Sequence, residues 1–233
     1  MLTFFATAVQ NSYGETVYYP TAAGYVLLGV LLFVLIVLAL RFGSTKAGKP
    51  IMTRQLVFSA AAMALAFVTS NLKFFALPMG GSITLFSMFF ITLIGYWYGL
   101  KAGLMTAFAY GLLQLIIDPY VLSIPQMICD YPLAFGALGL SGIFCEKKHG
   151  LMLGYLTGVA GRFVFAFLSG LIFFGYYAPE GMHPAVYSFL YNGSYIGAEA
   201  LLTVLVLMIP AVRTALDSVR DLALGGAAVQ RSV

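Results

Sequence analysis

DPYVLSIPQMICDYPLAFGALGLSGIF, residues 118–144, is the stretch whose reading decides the fold. It opens with the turn-forming residues Pro119, Ser123 and Pro125, followed by Gln126. One acid, Asp130, then stands at the threshold of a run of small and apolar residues that ends at Phe144. Charge beside hydrocarbon is expensive unless something offsets it. Two readings of Asp130 fit. It is either an acid at the water interface or a helix end, or a carboxylate that pairs with a cationic or amino-bearing ligand. Tyr131 beside it suits a pocket or an interfacial belt equally.

Working outward, composition makes the apolar run typical of the chain. Of 233 residues, 61% are hydrophobic and 9% charged, where soluble domains carry about 25% charged residues. The expected class is an all-α integral membrane protein. Net charge is +4, but the basic residues sit between apolar runs, which suits topology control and argues against nucleic-acid binding. Cys129 and Cys145 form no CxxC and have no His cluster beside them, so no metal or redox framework is expected. No nucleophile–base pair, HExxH, Walker motif or paired-acid arrangement occurs, so neither an enzyme nor a cofactor is expected. Glycines at 136–142 lie in an apolar run and read as helix packing. Any nucleotide that energises this protein must be bound by another chain.

Residues 1–20 lack a basic n-region, so a cleaved signal peptide is not expected. They read either as a short external tail or as a partly buried segment. Residues 22–40 form the first apolar span, long enough to cross ~30 Å of hydrocarbon. The second, 55–72, carries Ala60/Ala64 and Ala62/Ala66 at four-residue spacing, which permits close helix packing. A break at 73–82 holds Pro78, Gly80 and Gly81. Further apolar segments are 83–100, 102–117, 128–144, 151–174 and 185–210, the first two short for full spans.

Seven spans put the ends on opposite sides. The 41–54, 101 and 146–149 connections and the C-terminal tail then share one face. They carry Arg41, Lys46, Lys49, Arg54, Lys101, Lys147, Lys148, Arg213, Arg220 and Arg231, against Lys73 alone on the other. This bias places the N-terminus outside and the C-terminus inside. Loops 73–82, 118–126 and 175–184 come together on the outer face, beside Asp130. Arg162 lies deep in a span and is expected to face the bundle interior, paired with Glu199, Asp130 or carbonyls. Phe174, Tyr176, Tyr177, Tyr187 and Tyr191 are able to line an aromatic cavity or an interfacial belt. Asn192 offers a donor and an acceptor. It shares a side with Tyr187 only if the last helix starts between them.

Over residues 54–213 the chain resembles the thiamine-specific substrate-binding subunits (S components) of energy-coupling-factor transporters. The resemblance rests on GGS at 80–82, GLKAGL at 99–104, YGLLQL at 110–115, QMICDYPLAFG at 126–136, LSGLIFFGYYAPEG at 168–181 and YSFLYNGSY at 187–195, in order and spacing. It implies a six-helix membrane domain over 51–213. Residues 1–50 would be a tail, an extra transmembrane helix and a basic linker, and 214–233 a cytoplasmic tail. It implies thiamine capture in a bacterial cytoplasmic membrane, with a transmembrane coupling subunit and two ATPase subunits as partners. The Ala60, Ala62, Ala64 and Ala66 segment matches the docking face. Asp130 stands where the family has an acid facing the aminopyrimidine, Glu in some members. Tyr131, Tyr187 and Asn192 match pocket positions, Tyr120 and Gln126 fall in the capping region, and Arg162 matches a basic position. Ala166 replaces a ligand-contacting His found in some members, and Phe174 a stacking aromatic that is often Trp. These departures either weaken thiamine binding or retune the pocket for a related pyrimidine or thiazole compound. A solitary carrier, ion-coupled or not, and a structural subunit without ligand are the alternatives.

Overall fold

The structure, a computed structural model, describes residues 2–10, 16–24, 26, 27, 30, 34, 53–77, 81–117 and 120–225. Most of the span expected at 22–40, the basic linker after it, and residues 226–233 lie outside the described residues. So do Pro78, Gly80, Asp118 and Pro119.

The described chain is built mostly from apolar helices, followed by one amphipathic helix. These are α1 (Thr53–Asn71), α2 (Ser87–Tyr98), α3 (Leu100–Ile117), α4 (Ile124–Phe144), α5 (Gly150–Phe173), α6 (Pro184–Leu207) and α7 (Pro210–Leu224). Among them α3, α4, α5 and α6 are long and apolar enough to cross a membrane. Their exposed large residues form stripes of Met105, Phe108, Leu112 and Ile116 on α3, and of Phe189, Leu190, Leu201 and Leu205 on α6. Three-to-four-residue spacing puts the α3 stripe on one helix face, and the α6 residues fall on one broad side of that helix, as a lipid-facing surface requires. The chain is a multi-pass membrane protein.

Helix α2 is the hub. Ten of its twelve residues are buried, so its uniformly apolar sequence has no wet face. It packs against α1, α3, α4 and α5. Gly99 (φ 88°) lets the chain turn from α2 into α3 in one residue. Helix α4 then crosses α3 at backbone contact. A Cβ on Gly139 would overlap main-chain atoms of Gly103 and Leu104, the close approach that small residues permit.

Helix α4 starts at Ile124, four residues earlier than the apolar run suggests. Ser123 Oγ accepts the Gln126 N–H at 3.3 Å, and Pro125 occupies the first turn, both start signals. Loop 118–126 is therefore shorter than expected, and Gln126 is helical. The helix widens at Cys129–Leu133 into a π turn around Pro132. Pro132 has no N–H to give to the preceding turn, and the Ala134 N–H reaches back to Cys129 O. The wide turn faces Gln126, Asp130, Tyr131, Ala134 and Phe135 to one cavity.

Small elements finish the ends. Phe75–Ala76 (β3) pairs with Ser82–Ile83 (β4). Near the N-terminus Ala6–Gln10 (β1) pairs antiparallel with Thr16–Pro20 (β2), in register Ala6↔Pro20. Strand β2 packs on α5 and on the turn Gly175–Tyr177. At the opposite end α7 lies against α1, α2 and α6. Val212 and Leu216 pack on the core and Ala223 is buried. Tyr98 donates to Ala223 O at 2.9 Å, and Arg220 lies over the Tyr96 ring at 4.7 Å while donating to Cys145 O at 3.2 Å.

Candidate functional site

A cavity of about 180 Å³ opens among the loops at the end away from α7. Residues of all six helices α1 to α6 line it, together with Lys73, Gly81, Ser82, Thr84 and Tyr120 from the connecting segments. On α5 the lining residues are Arg162, Ala166 and Gly170, with Phe174 just beyond the helix. They recur every fourth residue and so share one face. Bulk at both ends of this row and almost none at Ala166 and Gly170 leave the hollow between. Helix α6 contributes Tyr187, Ser188, Tyr191, Asn192 and Tyr195. These are two adjacent four-spaced rows, 187–191–195 and 188–192. The helix begins at Pro184, so the condition that it start between Tyr187 and Asn192 is not met, yet both line the cavity because the two rows form one broad face.

Asp130 is the one carboxylate among the described cavity residues, which also include Lys73 and Arg162. Its Oδ2 accepts from Gln126 Nε2 at 2.6 Å. The Tyr131 hydroxyl accepts the Tyr120 N–H at 2.6 Å and so holds the loop above it. The Tyr120 ring stacks on Phe174 (5.9 Å, 24°), and its hydroxyl meets that of Tyr177 at 3.3 Å. That hydrogen bond, with burial, pushes Tyr120 up to about 12, so its hydroxyl stays protonated at neutral pH. On the far wall Asn192 is 6% exposed. Its Nδ2 donates to Ser188 O and Oγ at 3.0 and 3.2 Å, and its Oδ1 accepts from Tyr195 at 2.9 Å. One Oδ1 lone pair is left for a ligand. Tyr191 Oη accepts the Gly81 N–H at 2.9 Å and ties the residue before β4 to α6.

All nine residues proposed from sequence as substrate-binding line this one cavity. Other expectations need correction. Arg162 does not pair with Glu199. Its guanidinium lies over the Phe135 ring at 4.3 Å, a cation–π contact. Glu199 is 3% exposed and gives its carboxylate to Thr84 Oγ1 (2.6 Å), Ser87 Oγ (3.0 Å) and the Met88 N–H (3.0 Å). The alanine face also divides. Ala62 and Ala66 are buried at 6% and 0%, so within this fold they pack the bundle and are closed to a partner. Ala60 and Ala64 face outward. Residues two apart on a helix point about 200° away from each other.

Sequence reasoning missed Lys73, Gln114, Ser188 and Tyr195 in the lining. Gln114 was within reach, since its amide donates to Tyr110 Oη at 2.6 Å from one turn further along α3. Lys73 carried no such signal, because it sits in the irregular chain after α1. Among the described residues no group of three or more His, Cys, Asp or Glu is placed to hold a metal ion. The arrangement is a mixed aromatic and amide chamber with one acid, suited to binding a flat, amino-bearing organic molecule.

A family model described as thiamine transporter protein matches residues 56–217. The thiamine transporter ThiT of Bacillus subtilis (strain 168) is 33% identical over 165 residues, covering 65% of this chain and 84% of that protein. ThiT of Lacticaseibacillus paracasei is 27% identical over 167 residues, covering 64% and 81%. The solved structure of ThiT from Listeria monocytogenes superposes with a TM-score of 0.58 at 22% identity, over 74% of this chain and 96% of that one. That likeness bears on the fold alone.

Proposed function

The chain belongs to the thiamine transporter protein family, and from that premise we propose that the cavity captures thiamine for import. One observation carries the assignment of the site. Asp130, the only acid among the described residues that line the chamber, shares it with aromatic rings and the Asn192 amide. Thiamine offers a cationic thiazolium for the aromatic rings, and an aminopyrimidine whose amino group suits the acid. In this reading Asp130 holds the aminopyrimidine amino group, Phe174 and Tyr187 supply stacking faces, and Asn192 Oδ1 accepts one further hydrogen bond. Ala166 leaves space where a larger polar residue would reach the ligand.

Calorimetry on detergent-purified protein tests this directly, with thiamine, its phosphates and the separate pyrimidine and thiazole precursors. Thiamine is expected to bind most tightly. Tighter binding of either half-molecule would reassign the ligand, and heats at baseline for the whole set would end the vitamin-carrier reading.

The membrane arrangement in this proposal is a six-helix domain, α1 to α6, with its cavity mouth outside and α7 at the cytoplasmic surface. Charge placement supports it. Arg54, Lys101, Lys147, Lys148, Arg213 and Arg220 gather at the α7 end, while Lys73 stands by the mouth. Energy is supplied by a coupling subunit and its two ATPases. The coupling subunit docks on the outward Ala60/Ala64 stripe, whose small side chains admit a second helix at close range. With Ala60→Trp and Ala64→Trp, thiamine binding should persist while co-purification of the coupling subunit is lost. Undiminished co-purification would place the docking face elsewhere.

A further inference from the structure

Gln126 lines the cavity, but its amide is spent inside the protein. The side chain is 1% exposed. Oε1 accepts the Leu122 N–H at 2.9 Å, and Nε2 donates both to the Tyr120 carbonyl at 3.0 Å and to Asp130 Oδ2 at 2.6 Å. These three bonds fix which end is oxygen. A flipped amide would set Oε1 against a carbonyl and a carboxylate, and its NH₂ against an N–H. Gln126 therefore has little left to offer a ligand.

We propose that Gln126 is a positioning residue that joins Asp130 to the 120–122 loop, so that gripping a ligand and closing the mouth are one event. The proposal deepens the thiamine reading and rests on it for the identity of the ligand. No hydrogen bond runs directly between Asp130 and that loop among the described residues; the connection passes through the Gln126 amide. A ligand that fixes the Asp130 carboxylate fixes the acceptor for Nε2. It thereby fixes the amide plane and the acceptor that holds the Leu122 N–H. The loop is also held by the neighbouring residue of the same π turn, through Tyr131 Oη and the Tyr120 N–H. Once held, the loop lays the Tyr120 ring on Phe174 and its hydroxyl against Tyr177, beside the cavity mouth. Holding the mouth more firmly when Asp130 is engaged slows ligand escape more than it changes entry.

The geometry also explains why this position holds an amide. Glutamate at 126 would set a carboxyl group where Nε2 now lies 2.6 Å from Asp130. Two carboxylates that close share a proton at low pH and repel when both ionise.

Hydrogen–deuterium exchange on the full-length protein, without ligand, tests the connection. Gln126→Ala should lower protection of the 120–124 peptide by roughly tenfold. Asp130→Ala should lower it as well, although Asp130 does not touch the loop. In Gln126→Glu the protection factor should be retained at pH 6 and lost at pH 8.5, a pH dependence that simple loss of packing would not produce. Thiamine should raise loop protection in the wild type and not in Gln126→Ala, and labelled thiamine should leave that variant roughly tenfold faster with its entry rate little changed. Wild-type loop protection in Asp130→Ala, or a pH-independent Gln126→Glu, would overturn the proposal. Wild-type protein that binds no thiamine would instead sink the ligand assignment, and the ligand-free exchange would still decide the role of Gln126.

Discussion

Asp130→Asn is expected to weaken thiamine binding by roughly 10- to 100-fold, the cost of exchanging a charge-assisted hydrogen bond for a neutral one. The substitution is a clean probe of charge. An Asn Oδ1 at this position can still accept from Gln126 Nε2, so the π turn and the loop contacts that depend on Gln126 keep their partner. The loss is amplified by the rest of the wall. Lys73 and Arg162 also line the cavity, and removing Asp130 leaves these two cations as the only charged side chains among the described lining residues, around a cationic ligand. Calorimetry on matched preparations reads the effect, with thermal unfolding as the control for folding. Affinity within about twofold of wild type, at unchanged melting temperature, would take Asp130 out of the binding site.

The membrane class and most helices were legible because most apolar runs are long and most charges sit between them. The cavity residues were legible through the quoted motifs, and physical spacing supports several of them. Arg162, Ala166, Gly170 and Phe174 recur every fourth residue, as do Tyr187 and Tyr191. What escaped depended on partners far apart in sequence. Depth in the membrane offers Glu199 as one partner for Arg162, beside Asp130 and carbonyls. It does not reveal that the start of α2 brings three donors to Glu199 at that same depth. The alanine face was misread for a different reason. Four-residue spacing was noted within each pair, but the two-residue offset between pairs sends them to opposite sides of α1. The role of Gln126 lay in a readable pattern, an amide four residues before an acid on one helix. The proline beside it made that stretch look like a loop. Helix α7 was read as a tail although Val212, Leu216 and Ala223 already mark an inward stripe. Its charged residues dominated the reading.

Glu199→Ala should produce the largest loss of stability, about 2–5 kcal/mol, from donors stranded in the interior. Helix α2 begins after Phe86, a left-handed residue (φ 57°) with no side-chain oxygen to cap the helix. Glu199 supplies the cap from α6, accepting the Met88 N–H while binding Thr84 and Ser87. A negative charge at a helix N-terminus also meets the positive end of its dipole. In the alanine variant the two hydroxyls, 3.1 Å apart, can turn to each other, but the Met88 N–H has no replacement. Ser82, Thr84 and Ser87 line the cavity, so loosening the start of α2 should also weaken ligand binding. Glu199→Gln keeps an acceptor for Ser87 and Met88, and Thr84 can reverse its hydroxyl to accept, so it should sit near wild type. Trp97 makes the experiment practical. It is the single tryptophan, 8% exposed and edge-on to Phe58 at 5.9 Å, so its fluorescence follows disruption of the α1–α2 core. If Glu199→Ala and Glu199→Gln melt at the same temperature, the carboxylate is not what holds α2 to α6, and packing around Met88 and Ile196 must do so instead.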